Sequence, residues 1–197
     1  MKGSNIRAVV LLSGGGRTLE NFLATKSAGS WTVDITAVVS SRADVRGVEI
    51  ARENGLPCGI FRRKDYDSID EHNAAINAWL KPYAPRIIIL AGYLCLYIQP
   101  DWFTGPVVNI HPALLPKYGG RGFYGDRVHQ AVLAAGDTET GCTVHLVDGQ
   151  YDHGRILGQK KVPVVPGDDV ETLAARVFAA ECELYPEVIS KLVAELD

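Results

Sequence analysis

Ile6-Arg7-Ala8-Val9-Val10-Leu11-Leu12 is an almost unbroken apolar run that leads directly into Ser13-Gly14-Gly15-Gly16. Short apolar runs rich in β-branched residues are typical of strands buried on both faces of a parallel sheet. Val33–Val39 and Arg86–Leu90 repeat the pattern, and amphipathic segments separate the three runs. This alternation predicts an α/β protein with a single doubly wound, mostly parallel sheet.

The segments between and after these runs carry helix and hairpin signals. Apolar side chains recur at helical spacing from Ser68 to Tyr83, and Ser68 and Glu71 are placed as a capping box. Because no repeat or linker interrupts the 197 residues, we expect one domain over residues 1–197. The other predicted elements are helices at Gly47–Asn54 and Asp126–Ala135, hairpin strands at Thr143–Val147 and Ile156–Val165, and a last helix from Asp169 towards Leu196, bent or interrupted near Pro186.

Composition and charge argue against a nucleic-acid partner, a disulfide framework and a membrane span. Lys and Arg number 20 against 23 Asp and Glu, and no basic face is visible that would hold a nucleic acid. The four cysteines are widely separated, which is typical of reduced thiols rather than a disulfide framework. The apolar run near the N-terminus is too short for a signal peptide or a bilayer span. We therefore expect a cytoplasmic protein with no membrane partner.

Asn109-Ile110-His111-Pro112 is the strongest functional signal in the sequence. The apolar pair Val107-Val108 precedes it, and side chains two residues apart in a strand point to the same side. Pro112 ends the strand, which places Asn109 and His111 at the sheet edge where open α/β folds bind ligands. An amide and a protonated imidazole that converge on one point would stabilise an oxyanion.

Asp152 is the carboxylate that would complete such a site. It lies in the loop Asp148–Gly154. Next to His111, its charge would raise the pKa of the imidazole and favour the protonated form. The sequence alone is equally consistent with an aspartate that only serves a turn before Gly154.

Two further features suggest ligand binding. Gly16, Arg17 and Thr18 follow the first strand and open a helical segment, which suits a phosphate but also suits a plain tight turn. Glu181 falls inside the apolar stripe of the last helix, so its carboxylate needs either a partner or a path to water. His145 and His153 are too far apart along the chain for a typical zinc site, and no metal is predicted.

Taken together, these motifs resemble the glycinamide ribonucleotide transformylases, the folate-dependent formyltransferases of purine synthesis. The resemblance implies a Rossmann-like formyltransferase fold and transfer of a formyl group from 10-formyltetrahydrofolate to the amine of glycinamide ribonucleotide, without a metal. It also implies an N-terminal half that binds the phosphate, a C-terminal half that binds the folate, and a monomer or homodimer. It is carried by Asn109–Pro116, Leu90–Tyr93, Gly141–His145, the Tyr151-Asp152-x-Gly154 loop and Glu181–Pro186.

The resemblance also implies roles at matching positions. The catalytic trio would be Asn109, His111 and Asp152. Gly16, Arg17 and Thr18 would hold the substrate phosphate, and Glu181 would contact the ribose or the glycinamide end. The folate site would be formed by Arg63, Leu94, Cys95, Leu96, Tyr97, Asn109, Asp148, Gly149, Gln150, Tyr151 and Asp152.

Three segments depart from the family pattern, and two alternatives stay open. Gly16-Arg17-Thr18 replaces a common Gly-Ser-Asn, Cys95 stands where arginine is frequent, and the loop Gly119–Gly125 is several residues longer than in many members. The alternatives are another folate-dependent formyltransferase or hydrolase of the superfamily, and a non-catalytic nucleotide-binding module. A dinucleotide binder would need an acidic residue after the second strand, where Ser40-Ser41-Arg42 stands.

Overall fold

The computed structural model describes residues 6–29 and 31–195, and these residues form seven strands and five α-helices. The elements are β1 Ile6–Leu12, α1 Arg17–Ser27, β2 Val33–Ser40, α2 Arg46–Glu53, β3 Cys58–Ile60, α3 Ile69–Leu80, β4 Ile87–Leu90, β5 Val107–His111, α4 Asp126–Ala134, β6 Glu139–Leu146, β7 Ile156–Pro163 and α5 Val170–Ala194. The strand order in the sheet is β3-β2-β1-β4-β5-β6-β7, and the predicted α/β class with a mostly parallel sheet is confirmed.

The described residues fall into two compact units. The first contains those up to Val108 together with residues 192–195, and the second contains Asn109–Lys191. In the first unit β1 pairs in parallel with both β2 and β4, and β2 pairs with β3. The chain therefore runs outward from β1 to β3 and returns to β4 on the other side of β1. Open sheets bind ligands at such a reversal, beyond the carboxyl ends of the strands.

The loop after β1 is held by buried hydroxyl groups and by one glycine. The Ser13 hydroxyl oxygen accepts from the Leu94 backbone N–H at 2.9 Å and from the Ser41 hydroxyl at 2.6 Å. These bonds tie together the segments that follow β1, β2 and β4. Gly16 has a φ of 72°, and a Cβ there would lie 2.5 Å from the Gly47 Cα, so only glycine fits.

Two of the helix predictions can be compared in detail. The cap of α3 is confirmed, since the Ser68 hydroxyl oxygen accepts from the Glu71 backbone N–H at 3.0 Å. The predicted interruption of the last helix is wrong, because α5 continues through Pro186 to Ala194. Buried side chains on both sides of the proline, among them Tyr185 and Ile189, hold the helix together there. Leu196, the predicted end, lies outside the described residues.

The predicted hairpin is confirmed in the second unit. β6 and β7 pair in antiparallel fashion, with a register shift between Val144 and His145. Gly154 lies in the loop that joins them, and a Cβ on this residue would lie 1.9 Å from the Leu146 carbonyl oxygen. The close backbone contact requires glycine at 154 and fixes the path of the loop that carries Asp152.

Candidate active site

The second unit brings three of the predicted site residues together. Asn109 and His111 occupy alternate positions at the end of β5, and Asp152 lies in the β6–β7 loop. Asp152 Oδ2 is 3.4 Å from His111 Nδ1, and Asp152 Oδ1 accepts from Asn109 Nδ2 at 3.4 Å. The His111 and Asp152 side chains are only 5% and 9% exposed. A nearly buried imidazole and carboxylate therefore share one site with a half-buried amide.

The backbone of the glycine-rich loop holds Asp152 in place. The Gly120 N–H donates to Asp152 Oδ2 at 3.0 Å. A Cβ on Gly119 would lie 3.3 Å from the Asp152 Cβ and 2.5 Å from the Leu115 Cδ2, so glycine permits the close approach. Asp152 itself has a φ of 53°, a left-handed conformation that aspartate tolerates better than most residues. Strained backbone of this kind is common at functional sites.

His145 is a member of this cluster that the sequence analysis considered only as a metal ligand. Its Nδ1 donates to the Leu146 carbonyl oxygen at 2.8 Å, because a carbonyl can only accept. His145 Nε2 is 3.1 Å from Asn109 Nδ2 and 3.6 Å from Asp152 Oδ1. The position of His145 near the end of a buried strand, the same pattern that singled out His111, could have identified it from the sequence.

The charges of the cluster differ from the expectation at one residue. Burial by itself would raise the pKa of Asp152, but the contacts with His145, His111 and the Gly120 N–H together lower it, so Asp152 stays ionised. The expected effect of the Asp152 charge is present at His111, but the net shift of its pKa is downward. Burial is the largest cause and lowers this pKa below its ordinary value of 6.5, although the Asp152 charge and the Tyr118 carbonyl act in the opposite direction. His111 is therefore neutral at neutral pH.

The predicted phosphate-binding residues lie in the first unit. Gly16 is buried and precedes α1, exposed Arg17 is the first residue of that helix, and Thr18 is half-buried. Backbone N–H groups at the start of a helix favour an anion. The three residues thus combine a cation, a hydroxyl and a helix N-terminus.

The folate-binding residues predicted in the first unit differ in their exposure and in their hydrogen bonds. Leu94 is 41% exposed, and Arg63 Nη1 donates to the Tyr66 carbonyl oxygen at 2.7 Å. The Cys95 thiol is half-buried, and burial raises its pKa. Tyr97 is only 1% exposed and its hydroxyl donates to Asn77 Oδ1 at 2.6 Å. Its side chain is therefore part of the core rather than open to a ligand. Leu96 is half-buried.

The other predicted binding residues lie in the second unit. Asp148 accepts from the Gln150 N–H at 3.1 Å, and its carboxylate is 2.6 Å from His153 Nδ1, which lowers the pKa of Asp148. Tyr151 is 42% exposed, and Gly149 has a φ of 83°. The loop therefore keeps a defined turn and still presents an aromatic ring to solvent.

Glu181 is half-buried on α5 rather than enclosed in the core. Burial raises the pKa of the Cys142 thiol to about 12, and the charge of Glu181 adds to this rise. The carboxylate thus lies near Cys142 of β6, at the edge of the apolar stripe. Within residues 6–29 and 31–195, no group of three or more His, Cys, Asp and Glu side chains is arranged to hold a metal ion. No helix in that part of the chain is long and apolar enough to cross a membrane.

Comparison with known proteins gives a consistent result. The family described as Formyl transferase matches residues 6–189. The chain is 38% identical over 192 residues to a chloroplastic phosphoribosylglycinamide formyltransferase of Vigna unguiculata, covering 96% of this chain and 61% of that protein. It is 37% identical over 186 residues to the phosphoribosylglycinamide formyltransferase of Haemophilus influenzae, covering 93% of this chain and 85% of that one.

A solved structure is similar over nearly the whole chain. Glycinamide ribonucleotide transformylase 1 from Symbiobacterium toebii superposes with a TM-score of 0.88 at 37% identity, covering 98% of this chain and 89% of that chain. The chain spans less than two thirds of the length of two chloroplastic relatives, 61% and 66% respectively.

Proposed function

The chain belongs to the formyl transferase family, and we propose that it transfers a formyl group from 10-formyltetrahydrofolate to the amine of glycinamide ribonucleotide in purine synthesis. The observation that carries the proposal is the cluster in which Asp152 lies 3.4 Å from both His111 and Asn109, with the imidazole and the carboxylate almost fully buried. Relatives named phosphoribosylglycinamide formyltransferase support the choice of substrate. No residue in the proposed scheme forms a covalent bond to the formyl group.

The first step is attack of the substrate amine on the formyl carbon. A carbon–nitrogen bond forms and the carbonyl electron pair moves to oxygen, so the site must stabilise an oxyanion. One Asn109 N–H is bound to His145 at 3.1 Å, and the other faces Asp152 at 3.4 Å, which is long for a hydrogen bond. We assign this second N–H to the oxyanion, because breaking its long contact with Asp152 costs less free energy than breaking the bond to His145.

The second requirement is a path for the proton of the attacking amine. His111 is neutral at rest because burial lowers its pKa, so it can accept this proton. The imidazolium that forms lies 3.4 Å from the Asp152 carboxylate, which stabilises it. When the bond from carbon to the folate nitrogen breaks, His111 returns the proton to that nitrogen. His111 thus begins as a base rather than as the preformed cation expected from the sequence.

The proposal also assigns substrate-binding and folate-binding roles to residues of each unit. Gly16, Arg17 and Thr18 would hold the phosphate, supported by their place at the start of α1. Glu181 would contact the ribose or glycinamide end, and its half-buried carboxylate supports this. The folate would be bound by the 148–152 loop, Arg63 and the segment 94–97. A single domain with an N-terminal phosphate half and a C-terminal folate half, a monomer or homodimer, and a cytoplasmic location stay predictions.

A direct assay separates the proposal from its alternatives. Purified protein is incubated with 10-formyltetrahydrofolate, with and without glycinamide ribonucleotide, and the products are identified by mass spectrometry. Formylated glycinamide ribonucleotide supports the proposal. Formate released equally with or without the amine would indicate a hydrolase instead. Binding of the ribonucleotide without any turnover would indicate a nucleotide-binding module.

A further inference from the structure

The contact between His111 and Tyr118 determines where the imidazole carries its proton. His111 Nε2 is 2.7 Å from the Tyr118 carbonyl oxygen. A carbonyl oxygen can only accept, so the one proton of the neutral ring is on Nε2. His111 Nδ1 is then unprotonated and faces Asp152 at 3.4 Å. The free lone pair of the ring therefore lies on the side of the catalytic cluster.

Tyr118, which carries this carbonyl, has an unfavourable backbone conformation. Its φ is 57°, which is uncommon for a residue with a bulky side chain and costs free energy unless the surroundings impose it. The segment that follows begins with Gly119-Gly120, which offers little restraint of its own. Something other than local backbone preference must keep the Tyr118 carbonyl directed at His111.

The side chain of Tyr118 supplies that restraint through Asp137. The Tyr118 hydroxyl donates to Asp137 Oδ2 at 2.8 Å. The same carboxylate accepts from Lys117 Nζ at 2.6 and 2.8 Å, and these bonds keep the pKa of Asp137 below its ordinary value. The Tyr118 ring also meets the Phe123 ring edge-on, with centroids 6.1 Å apart. Tyr118 is thus anchored to Asp137, two residues before β6, by a charge-assisted hydrogen bond.

We propose that Tyr118 and Asp137 are positioning residues for the transfer reaction: Asp137 anchors Tyr118, and the Tyr118 carbonyl keeps the His111 proton on Nε2 so that Nδ1 takes the proton of the attacking amine. The inference rests on the proposed function. The amine proton moves to Nδ1 as the carbon–nitrogen bond forms, and it moves from Nδ1 to the folate nitrogen as the old bond breaks. His111 ends the cycle with the single Nε2 proton that it had at the start.

The two residues that bind Asp137 do not contribute equally. The Lys117 side chain is 61% exposed, so water and salt screen its attraction to the carboxylate. The Asp137 side chain is 21% exposed, and the Tyr118 hydroxyl needs only an acceptor oxygen there. Asparagine at 137 keeps such an oxygen and loses the charge. Alanine at 137 loses both, and phenylalanine at 118 loses only the donor.

The kinetic test uses these variants as a double-mutant cycle. Tyr118→Phe and Asp137→Ala should each lower kcat about tenfold or more, because a small displacement of a catalytic group has large effects. KM should stay within about twofold for both substrates, since neither residue is proposed to touch them. The double variant should lose no more than either single variant, because both remove the same restraint. Asp137→Asn should retain most of the activity.

A matched control lies two residues away. Glu139 is exposed and its carboxylate pairs with Lys161 at 2.8 Å, so Glu139→Gln removes a similar charge without changing the Tyr118 anchor. Its kcat should equal that of the unmodified protein. The Tyr118 carbonyl raises the pKa of His111. Consequently the acidic limb of the kcat–pH profile should move to lower pH in Tyr118→Phe and Asp137→Ala, which general destabilisation would not cause.

A second measurement does not depend on catalysis. Nitrogen-15 NMR of histidine-labelled protein distinguishes the two neutral tautomers, and His111→Asn identifies the His111 signals. The unmodified protein should show a protonated Nε2 and a bare Nδ1, and Tyr118→Phe should show a mixture. A proton on Nδ1 in the unmodified protein, or unchanged kcat in folded Tyr118→Phe and Asp137→Ala, would overturn the inference. Absence of formyl transfer by the unmodified protein would instead contradict the proposed function, whatever the tautomer.

Discussion

Replacing Asp152 with asparagine would remove the charge that faces His111 while keeping the shape of the side chain. The Gly120 N–H, 3.0 Å from Asp152 Oδ2, would still find an acceptor oxygen, so the loop should keep its position. Because burial lowers the pKa of His111, the imidazole is neutral in the resting protein. The attraction between the two charges therefore exists only after His111 has taken up the amine proton.

The expected magnitude follows from the distance between the two groups. At 3.4 Å and an effective dielectric constant of about 20, a carboxylate and an imidazolium attract each other by about 5 kcal/mol. The dipole of the asparagine amide and relaxation of the surrounding site would recover part of this attraction energy. Since about 1.4 kcal/mol corresponds to a factor of ten in rate, we expect kcat to fall about 100- to 1,000-fold. KM should change little, because the lost interaction is absent from the ground state.

The assay is steady-state formyl transfer as a function of pH, with Glu187→Gln as the control. Glu187 is an exposed carboxylate of α5 paired with Lys191, and its replacement should leave kcat unchanged. The Asp152 charge raises the pKa of His111, so the acidic limb should lie at lower pH in Asp152→Asn. A kcat within tenfold of the unmodified protein, or a loss confined to KM, would refute the proposed pairing of Asp152 with His111.

Three further outcomes are expected. In the unmodified protein kcat should fall as the pH drops through the pKa of His111, which lies below 6.5, because only the neutral ring accepts a proton. A kcat that rises on acidification would exclude the role of His111 as a base. Arg17→Ala should raise KM for glycinamide ribonucleotide about tenfold to a hundredfold through loss of a charge-assisted phosphate contact, and an unchanged KM would remove Arg17 from the site. Gly154→Ala should destabilise the protein by about 1–3 kcal/mol or more, measured by thermal unfolding, because its Cβ would lie 1.9 Å from the Leu146 carbonyl oxygen. Gly15→Ala, where a Cβ meets nothing within 4 Å, is the control, and equal losses of Tm in the two variants would contradict the steric explanation.

Local patterns were sufficient for most of the fold. The buried run of β1 and the cap of α3 at Ser68 were predicted because periodicity and capping depend on residues close together in the chain. β3, with three residues, is too short to produce a periodic signal. The helix is not interrupted at Pro186, because tertiary packing around a long helix outweighs the local cost of a proline; the alternative expectation of a bend there stays a prediction.

For the site, the sequence by itself determined which residue types stand at the ends of the strands, and its motifs taken together resembled those of the formyl transferases. Only the tertiary structure decided that Asp152, 43 residues after Asn109, lies against the imidazole, and that His145 holds the amide. It also showed that burial outweighs the Asp152 charge in setting the pKa of His111. The physical reason is that burial and long-range contacts set the protonation of a side chain, and neither is encoded in the spacing of neighbouring residues.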